Sequence, residues 1–262
     1  MARKQFQDLN LKDAFLFAAA LSDEETCRML LEIILEEEIS DVKVHTEHSI
    51  LYNSDFRSIR LDVYASKAEG AVYNVEMQGE NKGNLPRRSR YHQAELDVMS
   101  LKPGDNFAVL KDCYIIFICA FDPFGQGLYR YTFENRCTES GLILGDGAKR
   151  IFLSTKGNND EQIPAALKHF LHYVETSTAE CAEETGDSRV KTLHHKVTAL
   201  KASREWEKRY MTVEELINDA KKEEQSRFGA LIRRMSESGE QDKLALLSDE
   251  AFLQEMYLKY QL

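Results

Sequence analysis

Cysteine is sparse and arranged for neither of its common structural uses. The five, at positions 27, 113, 119, 137 and 181, are odd in number and contain no CxxC pair. That excludes a fully paired disulfide framework, argues against a zinc site, and predicts buried free thiols in a reducing compartment. No apolar run reaches ~18 residues, so no membrane span is expected. The opening Met-Ala-Arg-Lys-Gln-Phe-Gln-Asp lacks an apolar signal region, and a cytoplasmic protein is expected. Positive charge is not in excess either. With 34 Lys and Arg against 44 Asp and Glu, the net charge is −10. This argues against a general nucleic-acid binder, although a local basic patch can still act within an acidic protein. Several catalytic signatures are missing as well. Gly141, Gly145 and Gly147 form neither a GxGxxG after a strand nor a P-loop, and there is no GxSxG. The His45/His48 and His169/His172 pairs have no nearby Cys and no HExxH context, so they read as ordinary histidines.

What is present is a chain of 262 residues, 43% apolar and 30% charged, which suits a soluble globular protein with a real core. Apolar periodicity predicts a helix around 14–21 and another over 23–37, opened by a Ser22/Glu25 capping box, with Glu36–Glu38 as its solvated end. One strand is expected between 42 and 52, a turn at 53–55, and strands over 57–65 and 71–78 about a turn at 69–70. A polar loop (79–84) leads to a helix over 86–100, with Pro86 in its first turn. The continuously apolar run from Cys113 to Phe121 reads as a strand buried on both faces. Strands at 128–133 and 150–154 and a helix at 161–175 follow. Residues 175–187 read as a solvated acidic connection. Helices are then expected over 188–210, from a Thr212/Glu215 capping box through Met235, and in a tail at 244–247 and 251–260. The division expected is 1–175 and a helical extension, 176–262. The extension carries charges of both signs, including Glu223, Glu224, Arg227, Arg233 and Arg234. Its two readings are a homo-oligomerisation or docking element and a plain solvated bundle.

The stretch that carries chemistry is 57–78. Asp62 lies between Leu61 and Val63, and Glu76 and Gln78 bracket Met77. Strand side chains repeat every two residues, so Glu76 and Gln78 share a face, and in a hairpin Asp62 can join them. Two carboxylates and an amide on a rigid platform suit a hard divalent cation, which takes oxygen ligands and can activate water against a phosphate. Alternation alone also allows these three to face solvent on an open hairpin. The apolar residues Val72, Tyr73, Val75 and Met77 occupy both parities, however, so the acid emerges from a buried strand. Just downstream, Lys82, Arg87, Arg88 and Arg90, with Tyr91, are grouped as candidates for DNA phosphate and base contact.

Ile59-Arg-Leu-Asp-Val-Tyr64 followed by Val72-Tyr-Asn-Val-Glu-Met-Gln78 resembles the nuclease motif of the PD-(D/E)XK nuclease family transposases, also called recombination-promoting nuclease-like or transposase-associated proteins. Arg87-Arg-Ser-Arg-Tyr-His92, Lys102-Pro-Gly-Asp105, Phe121-Asp-Pro-Phe124 and Ile151-Phe-Leu153 are also similar, so the resemblance covers about residues 8–175. A weaker echo lies in Glu205-Trp-Glu-Lys-Arg-Tyr-Met211 and the tail. It implies an α/β, restriction-endonuclease-like αβββαβ core with a mixed sheet. It also implies Mg2+-dependent DNA cleavage, with Mn2+ as a substitute. Asp62 and Glu76 would be the metal ligands, and Gln78 would stand where the superfamily usually has lysine. Leu61 takes the place of the motif's proline. Because a neutral amide supplies no positive charge, the resemblance also leaves open a catalytically weak DNA-binding or interaction protein on the same fold. A further acid can come from the N-terminal helices of such folds, and Asp13, Glu25 and Glu32 are the candidates.

Overall fold

The computed structural model describes residues 4–45, 51–53, 58–60, 62–66 and 70–262. Eight helices are described: α1 Ala14–Leu21, α2 Glu24–Leu35, α3 Leu85–Ser100, α4 Ala165–Glu175, α5 Ala179–Glu184, α6 Ser188–Lys201, α7 Arg204–Glu237 and α8 Glu250–Lys259. The strands are β1 Lys43–Val44, β2 Leu51–Asn53, β3 Ser58–Arg60, β4 Asp62–Ser66, β5 Ala71–Gln78, β6 Asp112–Cys119, β7 Arg130–Phe133 and β8 Ala148–Ser154. Six of them form one mixed sheet in the order β1-β4-β5-β6-β8-β7, and β2 and β3 form a separate antiparallel ribbon. In the sheet, β5, β6 and β8 run parallel, while β4 is antiparallel to β5 and β7 to β8. The parallel crossover from β5 to β6 is made by α3, which is what a βαβ connection requires.

Burial explains why these segments are strands. Val63, Val75, Ile115, Ile116, Phe117 and Ile118 are fully buried, and β6 is apolar on both faces because helices cover both. On one face α3 lays Leu85 and Leu96 over Val72, Ile115, Phe117 and Phe152. The rings of Phe117 and Phe152 stack with centroids 5.5 Å apart. On the other face α1 packs on β4 and β5. Every residue of α1 from Phe15 to Leu21 is buried, so it is an internal helix rather than an amphipathic one.

Helix ends differ from the sequence expectation at four places. Asp23, not Ser22, caps α2: its carboxylate accepts from the Thr26 N–H, while the Ser22 hydroxyl donates back to the Ala19 carbonyl. The helix expected at 161–175 begins only at Ala165, with Pro164 just before it. The acidic 175–187 stretch is no bare connection, since it contains α5 with Cys181 and Ala182 buried. The break expected near 210–212 falls instead at 202–203, and Thr212 sits inside α7 with its hydroxyl donating to the Lys208 carbonyl. A mid-helix threonine can bond its own i−4 carbonyl, which makes a capping box illegible from sequence alone. β1 and β2 fall at the two ends of the strand expected over 42–52, and β3 and β4 lie along the strand expected over 57–65; residues 46–50 and 61 are outside the described residues. Most of the 53–55 turn, and Glu69 of the next, lie outside the described residues. Of the five cysteines, four are buried as expected and Cys137 is exposed.

The chain forms two compact units, residues 1–207 and 208–262. The second has its own small core of Leu231, Met235, Leu247, Met256 and Tyr257. Within it Arg227 lies over the Tyr257 ring at 3.9 Å and donates to the Leu262 carbonyl. Among the described residues no helix is long and apolar enough to cross a membrane.

Candidate active site

The site is built at the C-terminal end of β5. In the β4–β5 ladder, Asp62 pairs directly with Glu76. Directly opposed residues of an antiparallel pair lie on one face of the sheet, so the register puts Asp62, Glu76 and Gln78 on a common face. That face is the one covered by α3. The Glu76 carboxylate is only 12% exposed and meets α3 at both of its oxygens. Oε1 accepts from an Arg88 guanidinium N–H and from the Gln78 amide at 2.7 Å. Oε2 faces His92 Nε2 at 3.5 Å. The same guanidinium donates to the Gln78 carbonyl oxygen at 3.0 Å and lies 5.5 Å from the centre of the Phe117 ring. Glu76, Gln78 and Arg88 thus close a three-membered ring of hydrogen bonds on an aromatic floor.

α3 sets this geometry through its period. Arg88, His92 and Glu95 recur at i, i+4 and i+7, the spacing of one helix face, and that face lies on the sheet. His92 sits between two carboxylates, with Nδ1 3.4 Å from Glu95 Oε2. His92 and Glu95 were not among the sequence candidates. The heptad-like spacing from Arg88 was the signal that could have found them. Of the residues grouped for DNA contact, Arg88 turns inward to the carboxylate, whereas Lys82, Arg87, Arg90 and Tyr91 are exposed. Cys119 closes β6 beside this group. Burial, with Glu76 adding to it, pushes its thiol up to about 12, so it stays protonated.

The three further acids separate clearly. Glu25 pairs with Lys196 at 2.7 Å, and Glu32 holds Arg28 and the Ile39 N–H. Asp13 caps α1 by accepting from the Phe15 and Leu16 N–H groups. Burial raises its carboxyl above the ordinary value despite those bonds. It also stands next to the point where α1 meets the end of β5: a Cβ on Gly79 would lie 3.9 Å from the Lys12 carbonyl.

The donors on this face fit a hard divalent cation in kind, being carboxylate and amide oxygens. Among the described residues there is no group of three or more His, Cys, Asp or Glu side chains arranged to hold a metal ion.

A family model described as PD-(D/E)XK nuclease family transposase matches residues 8–227. The chain belongs to this family. The mixed six-stranded sheet with its βαβ crossover and long C-terminal helix is consistent with the PD-(D/E)XK nuclease fold. No curated protein and no solved structure matches the chain. Membership in a transposase-type nuclease family implies DNA as the substrate class and suggests hydrolysis as the reaction, and the family typically uses divalent metals.

Proposed function

We propose that this family member is a Mg2+-dependent DNA endonuclease, able to use Mn2+, that hydrolyses phosphodiester bonds in recombination or transposition. The reading rests above all on the cross-strand pairing of Asp62 with Glu76 at the end of a buried parallel strand. In it, Asp62 and Glu76 would hold the cation, and Asp13, just after Lys12 whose carbonyl approaches Gly79, is the favoured further acid. The bound cation supplies a Lewis acid for the phosphate and an activated water. Gln78 orients that water or a phosphate oxygen through its amide. Arg88 provides the positive charge that Gln78 lacks, because it already bridges Gln78 and Glu76. Lys82, Arg87, Arg90 and Tyr91, exposed beside the site, contact the DNA backbone or stack on a base. Self-association through the C-terminal helices completes the reading, with Met211, Leu216, Phe228 and Ile232 exposed along α7.

The alternative is a weak or inactive nuclease-fold protein that binds DNA. It draws support from the same ring, since Glu76 already has donors on Oε1. Plasmid cleavage with and without Mg2+ separates the two. Nicking or linearisation is expected only with metal, and Asp62→Ala or Glu76→Ala is expected to lower it at least ~100-fold. Cleavage that survives both substitutions refutes the residue assignment. DNA retention with no metal-dependent cleavage by the unaltered protein favours the alternative.

A further inference from the structure

Three parallel strands end side by side at the sheet edge that carries the site. The Gln78 carbonyl accepts from the Ala120 N–H and the Cys119 carbonyl from the Thr155 N–H, each at 2.9 Å. Two strand spacings, about 10 Å, therefore separate the backbone at Gln78 from that leaving β8. Lys156 follows directly. Lys12 reaches the same end of the sheet, where its carbonyl comes within 3.9 Å of the place a Cβ on Gly79 would take. The two ammonium groups converge on one carboxylate, Glu175, at 2.8 and 3.1 Å, and the Thr155 hydroxyl donates to its other oxygen at 2.9 Å. Burial alone would raise Glu175, but these hydrogen bonds outweigh it and hold its carboxyl at about 2. The group is therefore two cations around one permanent anion. Glu175 is mostly covered, while Lys12 and Lys156 remain 41% and 49% exposed. Each ammonium has three N–H donors and makes one bond to Glu175, so donors remain for a second anion.

We propose that Lys12 and Lys156, held in place by Glu175, form an anchor for the sugar–phosphate backbone of a DNA strand flanking the scissile phosphate. This rests on the nuclease reading and extends its contact surface. The basic residues of α3 and its preceding loop grip the DNA at the site, and this anchor adds a second contact at the same end of the sheet. It reads no sequence, because point-charge ammonium groups recognise phosphate rather than base edges. Glu175 both orients the lysines and competes for them, so neutralising it should strengthen binding.

The test is equilibrium binding of a fluorescent DNA duplex in EDTA, where metal-dependent cleavage cannot intervene, across a salt series. The double variant Lys12→Gln/Lys156→Gln is expected to bind roughly tenfold more weakly near 0.1 M salt, with a log–log salt slope smaller by about one per lysine. Glu175→Gln is expected to tighten binding several-fold, a direction that misfolding does not produce. Lys111→Gln removes a charge just before β6, at the other end of the sheet, and should leave the slope unchanged. An unchanged affinity and slope in the double variant overturns the anchor while leaving DNA binding, and the nuclease reading, standing. An equal effect from Lys111→Gln also overturns it. If the unaltered protein binds no DNA even at low salt, the nuclease reading and the anchor fall together.

Discussion

Restoring the superfamily lysine at position 78 should harm the proposed cleavage unless Arg88 is removed as well. The Gln78 amide nitrogen lies 2.7 Å from Glu76 Oε1 and its oxygen 3.0 Å from an Arg88 nitrogen. A lysine ammonium at that place would stand about 4 Å from the guanidinium, a repulsion of ~4 kcal/mol at an effective dielectric of about 20. Its attraction to Glu76 is of similar size and offsets it. What remains is the cost of burying a second cation where the native residue is 9% exposed, several kcal/mol by the desolvation of a charged group. Gln78→Lys is therefore expected to lower the rate. Arg88→Gln alone removes a charge-assisted bond to Glu76 worth about 1.5–3 kcal/mol, or roughly ten- to a hundredfold in rate. The combined variant again sets one cation against one carboxylate, and its rate should return to within a few-fold of the native one. The assay is single-turnover cleavage of a labelled duplex under Mg2+ for all four proteins, with melting curves to show that each folds. Gln78→Lys faster than the native protein, or Arg88→Gln as fast as it, would refute the claim that Arg88 supplies the missing charge.

Two further outcomes follow from the geometry. Phe117→Ala deletes a fully buried ring that stacks on Phe152 and floors Arg88, and it should cost about 3–5 kcal/mol in urea unfolding of the first unit; a loss under ~1 kcal/mol would contradict the packing described. The Glu175 carboxyl falls from an ordinary 4.5 to about 2 in the fold, so its contribution is present above the unfolded value and fades as pH drops from 4.5 towards 2; chemical denaturation of Glu175→Gln should lose that part of the acid dependence, and an unaltered pH profile would sink the assignment.

The sequence by itself determined the elements with strong local signals. A run apolar on both parities and rich in β-branched and aromatic residues, from Cys113 to Cys119, fits a strand covered on both faces. The shared face of Glu76 and Gln78 was legible because side-chain direction along a strand is fixed by its two-residue period. The helix after them was legible from Pro86 and the Lys-Pro-Gly stop at 102–104. The positions of α5 and of the break before α7 were not, because both depend on what their apolar residues meet in the fold. Pattern alone does not reveal that Cys181 and Ala182 are buried.

Tertiary structure decided everything that depends on pairing across the chain. Register, a relation between two strands, set Asp62 against Glu76. The packing angle of α3 turned Arg88 and His92 onto that carboxylate and left Arg87 and Arg90 outside. In the sequence these basic residues form one undifferentiated group, since charge on a helix has no direction until one face of that helix is buried. The convergence of Lys12, Lys156 and Glu175 is more remote still: three residues far apart in the chain meet because parallel strands end at one edge and the helices on that face return their termini to it.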